Sequence, residues 1–159
     1  MLKPFLTTAM ALACCSCSVM PHSSQFAVRC SGTQTVKISD DAAPSVSNQE
    51  GRTYVIDEGR KAVYRADPYM VANLCEPNGR CDVEVTKSRA TALITKSFGA
   101  GKNRQQTETR FVLDRAKGEL HTVEVMTLYV GNQPGDPIKN DGAFTCVSIE
   151  VPDFKVPQA

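Results

Sequence analysis

The chain contains no tryptophan, only two histidines, and no excess of either charge sign: 18 Lys and Arg against 17 Asp and Glu leave +1 overall. Each scarcity narrows the function. Without tryptophan the chain lacks the strongest sugar-stacking side chain, although six Phe and four Tyr keep aromatic contact open. His22 precedes the folded part and His121 lies among strand-forming residues, so one structured histidine leaves too few ligands for a zinc centre and no metal or cofactor is expected. A balanced charge gives no electrostatic footprint for nucleic acid. No G-x-S-x-G elbow presents a nucleophilic serine. Gly99-Ala100-Gly101-Lys102 is too short for a phosphate loop, being followed by Asn103-Arg104 and a strand, and reads as a hairpin loop. The carboxylate pairs Asp40/Asp41 and Asp57/Glu58 fall at loop and turn positions that Asp favours for geometry. No catalytic residue is assigned, and the chain reads as a non-enzyme.

An apolar stretch long enough to span a bilayer as a helix is also missing. The one apolar run, Pro4–Ala13 behind Lys3, has the length and flanks of an export signal, here placed at 1–18. Its end has two readings. Ala11-Leu12-Ala13-Cys14 resembles a lipobox that would lipidate Cys14 and anchor the chain to a membrane; ordinary cleavage after Ala13 or Ser18 would release a soluble periplasmic or secreted protein. Residues 19–25 read as a tether, 26–154 as a single β-domain, and 155–159 as a tail.

Of seven cysteines, Cys14, Cys15 and Cys17 belong to the signal region. The other four allow three pairings. Cys75 and Cys81 bracket Pro77-Asn78-Gly79, a turn that brings them together, which leaves Cys30 for Cys146. Loop-closure entropy assigns the short bridge about 2.4 kcal/mol and the long one about 4.8 kcal/mol. Such bridges imply an oxidising compartment.

What is plentiful is period-two alternation. In Thr107–Val130, Thr109, Phe111 and Leu113 fall on one face and Arg110, Val112 and Asp114 on the other, with Asp114 opening a turn and Gly118 closing it. Arg52–Tyr64 repeats the pattern: Tyr54-Val55-Ile56-Asp57 parallels Phe111-Val112-Leu113-Asp114. Further strands are expected at Phe26–Cys30, Val36–Ile38, Val83–Thr86, Thr91–Phe98 and Gly142–Val151. Residues 39–51 and 131–141 read as loops, and Tyr69–Leu74 as a turn of helix. The result is an all-β antiparallel meander of about eight strands closing into a small barrel, with a two-sheet sandwich as the alternative.

Between Lys87 and Arg110 six basic residues face one acid, Glu108, and Lys96, Lys102 and Arg104 are the candidate patch for an anionic partner. Phe26-x-Val28-x-Cys30-x-Gly32, the Y-V-I-D hairpin and Gly142-x-Phe144-x-Cys146 followed by Phe154 resemble small exported proteobacterial β-barrel proteins of unassigned activity. The aromatic-x-x-x-Cys-x-Gly start is also similar to the barrel of membrane-bound inhibitors of C-type lysozyme. That resemblance implies a compact barrel and an inhibitory role. The family's Ser-Gly-then-Tyr inhibitory motif has no counterpart, since Ser31-Gly32 is followed by Thr33-Gln34-Thr35. The expectation is a monomeric, exported binding or inhibitory module whose partner is an envelope protein or small ligand. The alternative is a lipocalin-like carrier of a small apolar ligand.

Overall fold

A computed structural model describes residues 25–67 and 70–152. The described chain is all-β and antiparallel: β1 Gln25–Lys37, β2 Ser45–Asp57, β3 Ala62–Asp67, β4 Met70–Asn73, β5 Gly79–Val85, β6 Arg89–Ala100, β7 Asn103–Asp114, β8 Glu119–Val130, β9 Gln133–Pro134 and β10 Ile138–Ile149. Neighbours run β4-β3-β2-β1-β10-β8-β7-β6-β5, with β9 paired to β8 alone. From β1 to β4 and from β5 to β8 strands next to each other in sequence are next to each other in the sheet, and the first long strand pairs with the last. The sheet curls strongly into a barrel-like wall, as the meander pattern implies.

The curl leaves one seam. β4 and β5 form the two edges of the path, and no ladder joins them among the described residues. They are nonetheless consecutive in the chain, and the Cys75–Cys81 disulfide spans the turn between them with Cα atoms 5.5 Å apart. Lys61 Nζ crosses the same seam to donate to the Val83 carbonyl at 2.8 Å. A covalent clip and a charge-assisted hydrogen bond thus stand where a ladder would otherwise protect the edges. Opposite the seam, Cys30 and Cys146 are directly paired in the β1–β10 ladder and bonded, with Cα atoms 4.0 Å apart. Two disulfides of this kind are compatible with an exported, oxidising environment.

The inner face is apolar over one half of the strands. Val28, Ile56, Val63, Val83, Leu113 and Leu120 are among the buried residues that fill it. The two Y-V-I-D-like segments meet there: the Tyr54 and Phe111 rings lie edge to face, 5.4 Å between centroids, a geometry aromatic quadrupoles favour. Their turns are built alike. Asp114 Oδ1 accepts from the Ala116 and Lys117 amides, and Gly118 closes the turn at φ 67°. Asp57 Oδ1 accepts from the Arg60 amide, but here the positive φ of 51° falls on Lys61, not on the preceding glycine. A second apolar cluster, Ala27, Val55, Ala62 and Tyr64 with Cys75, lies on the other face of β1–β3. This is why the Y-V-I-D run is buried on both sides.

Three expectations need correction. Residues 45–51 belong to a strand, because Ser45–Gln49 continue the β1 ladder from Val36↔Ser45 to Gly32↔Gln49 beyond a bulge at Cys30/Gly32. Met70–Asn73 is a short edge strand on β3 and not a helical turn; Tyr69 lies outside the described residues. The 131–141 stretch contributes β9 and the first residues of β10. Polar composition hid all three, since backbone pairing with a neighbouring strand does not require apolar side chains.

Candidate functional site

Toward the open end of the curl the inward-facing positions turn polar. The alternation that places Tyr54 inside also points Arg52 inward from β2, and that of Val63 carries Arg65 inward from β3. Beyond Ile94, β6 turns Lys96 inward; beyond Leu120 and Thr122, β8 turns Glu124 inward, paired with Thr109 and Asn140. These four charged side chains line one chamber of about 220 Å³ with Tyr54 and Phe111 in its wall. Gly142 helps to define it, because a Cβ at that position would overlap the Phe144 ring and the Thr122 hydroxyl.

The chamber holds three cations and one carboxylate, and the charges inside it are weakly satisfied. Arg52 donates one terminal N–H to Gln49 Oε1 at 2.6 Å. Arg65 Nε is shielded from solvent without a hydrogen-bond acceptor, although Asp67 Oδ2 stands 3.4 Å away at ion-pair range. Lys96 Nζ reaches the Glu76 carbonyl at 3.4 Å. Burial holds the Lys96 ammonium below the ordinary lysine pKa, and the Glu124 charge partly restores it. Glu124 Oε2 accepts from Thr109 Oγ1 at 3.2 Å. Lys96 and Thr107 also line an adjoining open groove of about 700 Å³, running past the start of β5.

The proposed basic patch is divided by the strand register. Lys96 faces the chamber, in register with Thr107, whereas Arg104 lies three residues along β7 from Thr107 and so on the opposite face. Lys102 is exposed in the β6–β7 turn. Arg104 stacks on Tyr129, its guanidinium carbon 4.2 Å from the ring centroid, and donates to Asn132 Oδ1 at 3.3 Å. Around it the β6–β7 and β8–β9 turns are tied together: Asn132 N donates to the Lys102 carbonyl at 3.0 Å, and Gly131 N to Asn103 Oδ1 at 3.0 Å. Val130 (72% exposed), Leu128 and Phe98 stand out from these two hairpin ends. Cys14 and His22 lie outside the described residues, His121 is exposed on β8, and no three metal-ligating side chains cluster among the described residues.

The sequence reading missed Arg52, Arg65 and Glu124. The signal was present: each continues, at even spacing, an inward apolar series of its own strand. No family model matches the chain, and no curated protein or solved structure matches it.

Proposed function

We propose that the protein is an exported, non-catalytic binding or inhibitory module of the cell envelope, and that it engages an acidic protein through the two tied hairpin ends. The supporting observation is that these ends are fixed before any partner arrives. Hydrogen bonds between the turns and the Arg104–Tyr129 stack hold them in one arrangement, with Val130, Leu128 and Phe98 exposed on the same two hairpin ends that carry Lys102. Preorganisation reduces the ordering cost of association, and apolar groups next to a cation suit a partner surface with apolar and acidic character. The lipocalin-like alternative gains little from the interior. Ligand pockets for drug-sized molecules run from about 300 to 1,000 Å³ and are mostly apolar, whereas the chamber is near 220 Å³ and lined by charges, and the larger adjoining groove is walled mainly by polar and charged side chains such as Arg80, Lys96, Gln106 and Glu108.

Export by the N-terminal signal and anchoring through Cys14 belong to the same proposal; palmitate labelling and sensitivity of processing to globomycin test the anchor. The binding role is tested by capturing partners from periplasmic extract with the mature protein and with the double variant Lys102→Glu/Arg104→Glu. An acidic protein retained by the natural chain and lost by the variant is the expected result. Unchanged capture disposes of the tied hairpin ends as the contact surface.

A further inference from the structure

We infer that the chamber at the open end is a binding site for a small dicarboxylate. This site is separate from the hairpin ends proposed to meet a protein partner, so either can fail without the other.

Charge count, placement and size converge on that class. Arg52, Arg65 and Lys96 stand against Glu124 in the lining, and Asp67 outside it pairs with Arg65 at 3.4 Å, so the chamber keeps a net positive charge that an anion neutralises and a neutral or cationic molecule does not. The cations are not gathered at one point. Arg52 and Arg65 come from the adjacent strands β2 and β3, while Lys96 comes from β6, five steps from β2 along the sheet. All three nevertheless line the same cavity, so the positive charge is split between the β2–β3 part of the wall and β6. Two anionic ends joined by a short linker match that separation better than one tetrahedral anion. The guanidinium groups have capacity to spare: Arg52 makes a single side-chain bond to Gln49, and Arg65 Nε has Asp67 at ion-pair range, 3.4 Å, without a hydrogen bond. A planar carboxylate accepts from such forks in pairs.

The chamber itself is small, and it shares only Lys96 and Thr107 with the adjoining open groove. A volume of about 220 Å³ corresponds to roughly seven waters at about 30 Å³ each, which suits a short-chain diacid and not a fatty acid. Thr109, Thr122 and Asn140 add neutral hydrogen-bonding groups to the wall between the cations. Glu124 sets a limit on charge. It repels an anion of higher valence and leaves room for a ligand hydroxyl or amine.

Isothermal titration calorimetry of the exported, disulfide-bonded protein with succinate, acetate and inorganic phosphate tests the inference. Succinate is expected to bind in the millimolar range or tighter, more strongly than acetate or phosphate, and with an affinity that falls as sodium chloride is added. Lys96→Met and Arg52→Gln should each weaken it about tenfold or more, the equivalent of about 1.4 kcal/mol. Glu124→Gln should strengthen it. Circular dichroism and melting temperature accompany every variant, and the half-buried Lys96 provides a test that does not depend on the Arg52 variant folding. The inference is overturned if folded natural protein gives no heat with succinate, if phosphate or acetate binds in preference, or if folded Lys96→Met binds succinate as the natural chain does.

Discussion

Removing the Cys30–Cys146 bridge should cost this protein more than any other single covalent change, and the size of the loss can be worked from its position. The two cysteines are 116 residues apart, so the bridge closes nearly the whole described chain into one loop, whereas Cys75 and Cys81 are separated by 6. Loop-closure entropy then gives about 4.8 kcal/mol for the long bridge and about 2.4 kcal/mol for the short one. The β1–β10 ladder itself, from Ala27↔Ile149 to Lys37↔Lys139, does not need the bond. The fold should therefore survive Cys30→Ala/Cys146→Ala with its sheet intact but much less stable. A loss of about 4.8 kcal/mol translates into roughly 10–20 °C of melting temperature for a chain of this size. Urea denaturation of the two double variants, with far-UV circular dichroism to verify the sheet, measures both numbers. The reasoning fails if Cys75→Ala/Cys81→Ala loses as much stability as Cys30→Ala/Cys146→Ala. The seam clip would then act mainly by holding β4 and β5 together in the folded state, not by restricting the unfolded chain.

Gly142→Ala should destabilise by about 1–3 kcal/mol, because the added methyl meets the Phe144 ring and Thr122; thermal denaturation reads it, and no change would mean that the ring has space to move. Lys61→Met removes the hydrogen bond to Val83 across the seam, a charged-donor bond of about 1.5–3 kcal/mol, and exposure discounts the expected loss toward the lower figure. Amide exchange should quicken at β5 in that variant before it does at β7. Lys96→Met should raise stability at neutral pH. The folded chain holds the Lys96 ammonium below its ordinary pKa, so the unfolded chain binds the extra proton between the folded and ordinary values, and stability gains from Lys96 as pH rises through that alkaline window. Denaturation midpoints at neutral and alkaline pH should show the natural chain gaining on the variant, and parallel curves would contradict the assignment.

What the sequence disclosed about the fold followed from side chains whose type depends on which way they face. Phe111 and Leu113 against Arg110, and Asp114 with Gly118, marked the central hairpin because one face is buried and the turn demands those residues. The pairing of Cys30 with Cys146 was legible because the local turn claims Cys75 and Cys81. The start of β2 was not, because Ser45–Gly51 is held by backbone pairing with β1 and carries only polar or small side chains apart from Val46. β4 escaped for a similar reason, being a four-residue edge strand beside Pro68. The chamber was hidden by the same cause that makes it chemically interesting. Gln34, Arg52, Lys96 and Glu124 point inward, and inward polar residues interrupt the alternation from which a buried face is recognised. The basic stretch drew notice as a surface patch because charge alone does not reveal on which face of a strand it lies; the register that separates Lys96 from Arg104 does.

The position of the polar half follows from the topology of the wall. β5 begins at Gly79, opposite Lys96, so among the described residues β6 beyond the Ser97–Asn78 hydrogen bond has no strand on that side, and β7 and β8 run on to the tied turns. Below that level the wall is covered, its interior is apolar, and an uncompensated charge there would carry a desolvation cost of several kcal/mol. Above it solvent reaches the inner face, and Arg52, Arg65, Lys96 and Glu124 remain half-buried. The short β5 is thus what permits three cations to share one cavity without three carboxylates. It also dictates what can replace the solvent there. A molecule that fills the chamber removes water from all three cations together, and only one that brings compensating negative charge can do so favourably. An apolar ligand would have to strip the same water and return nothing to the charges, which is why the open end favours an anion over the lipid-like cargo that a barrel shape alone would suggest.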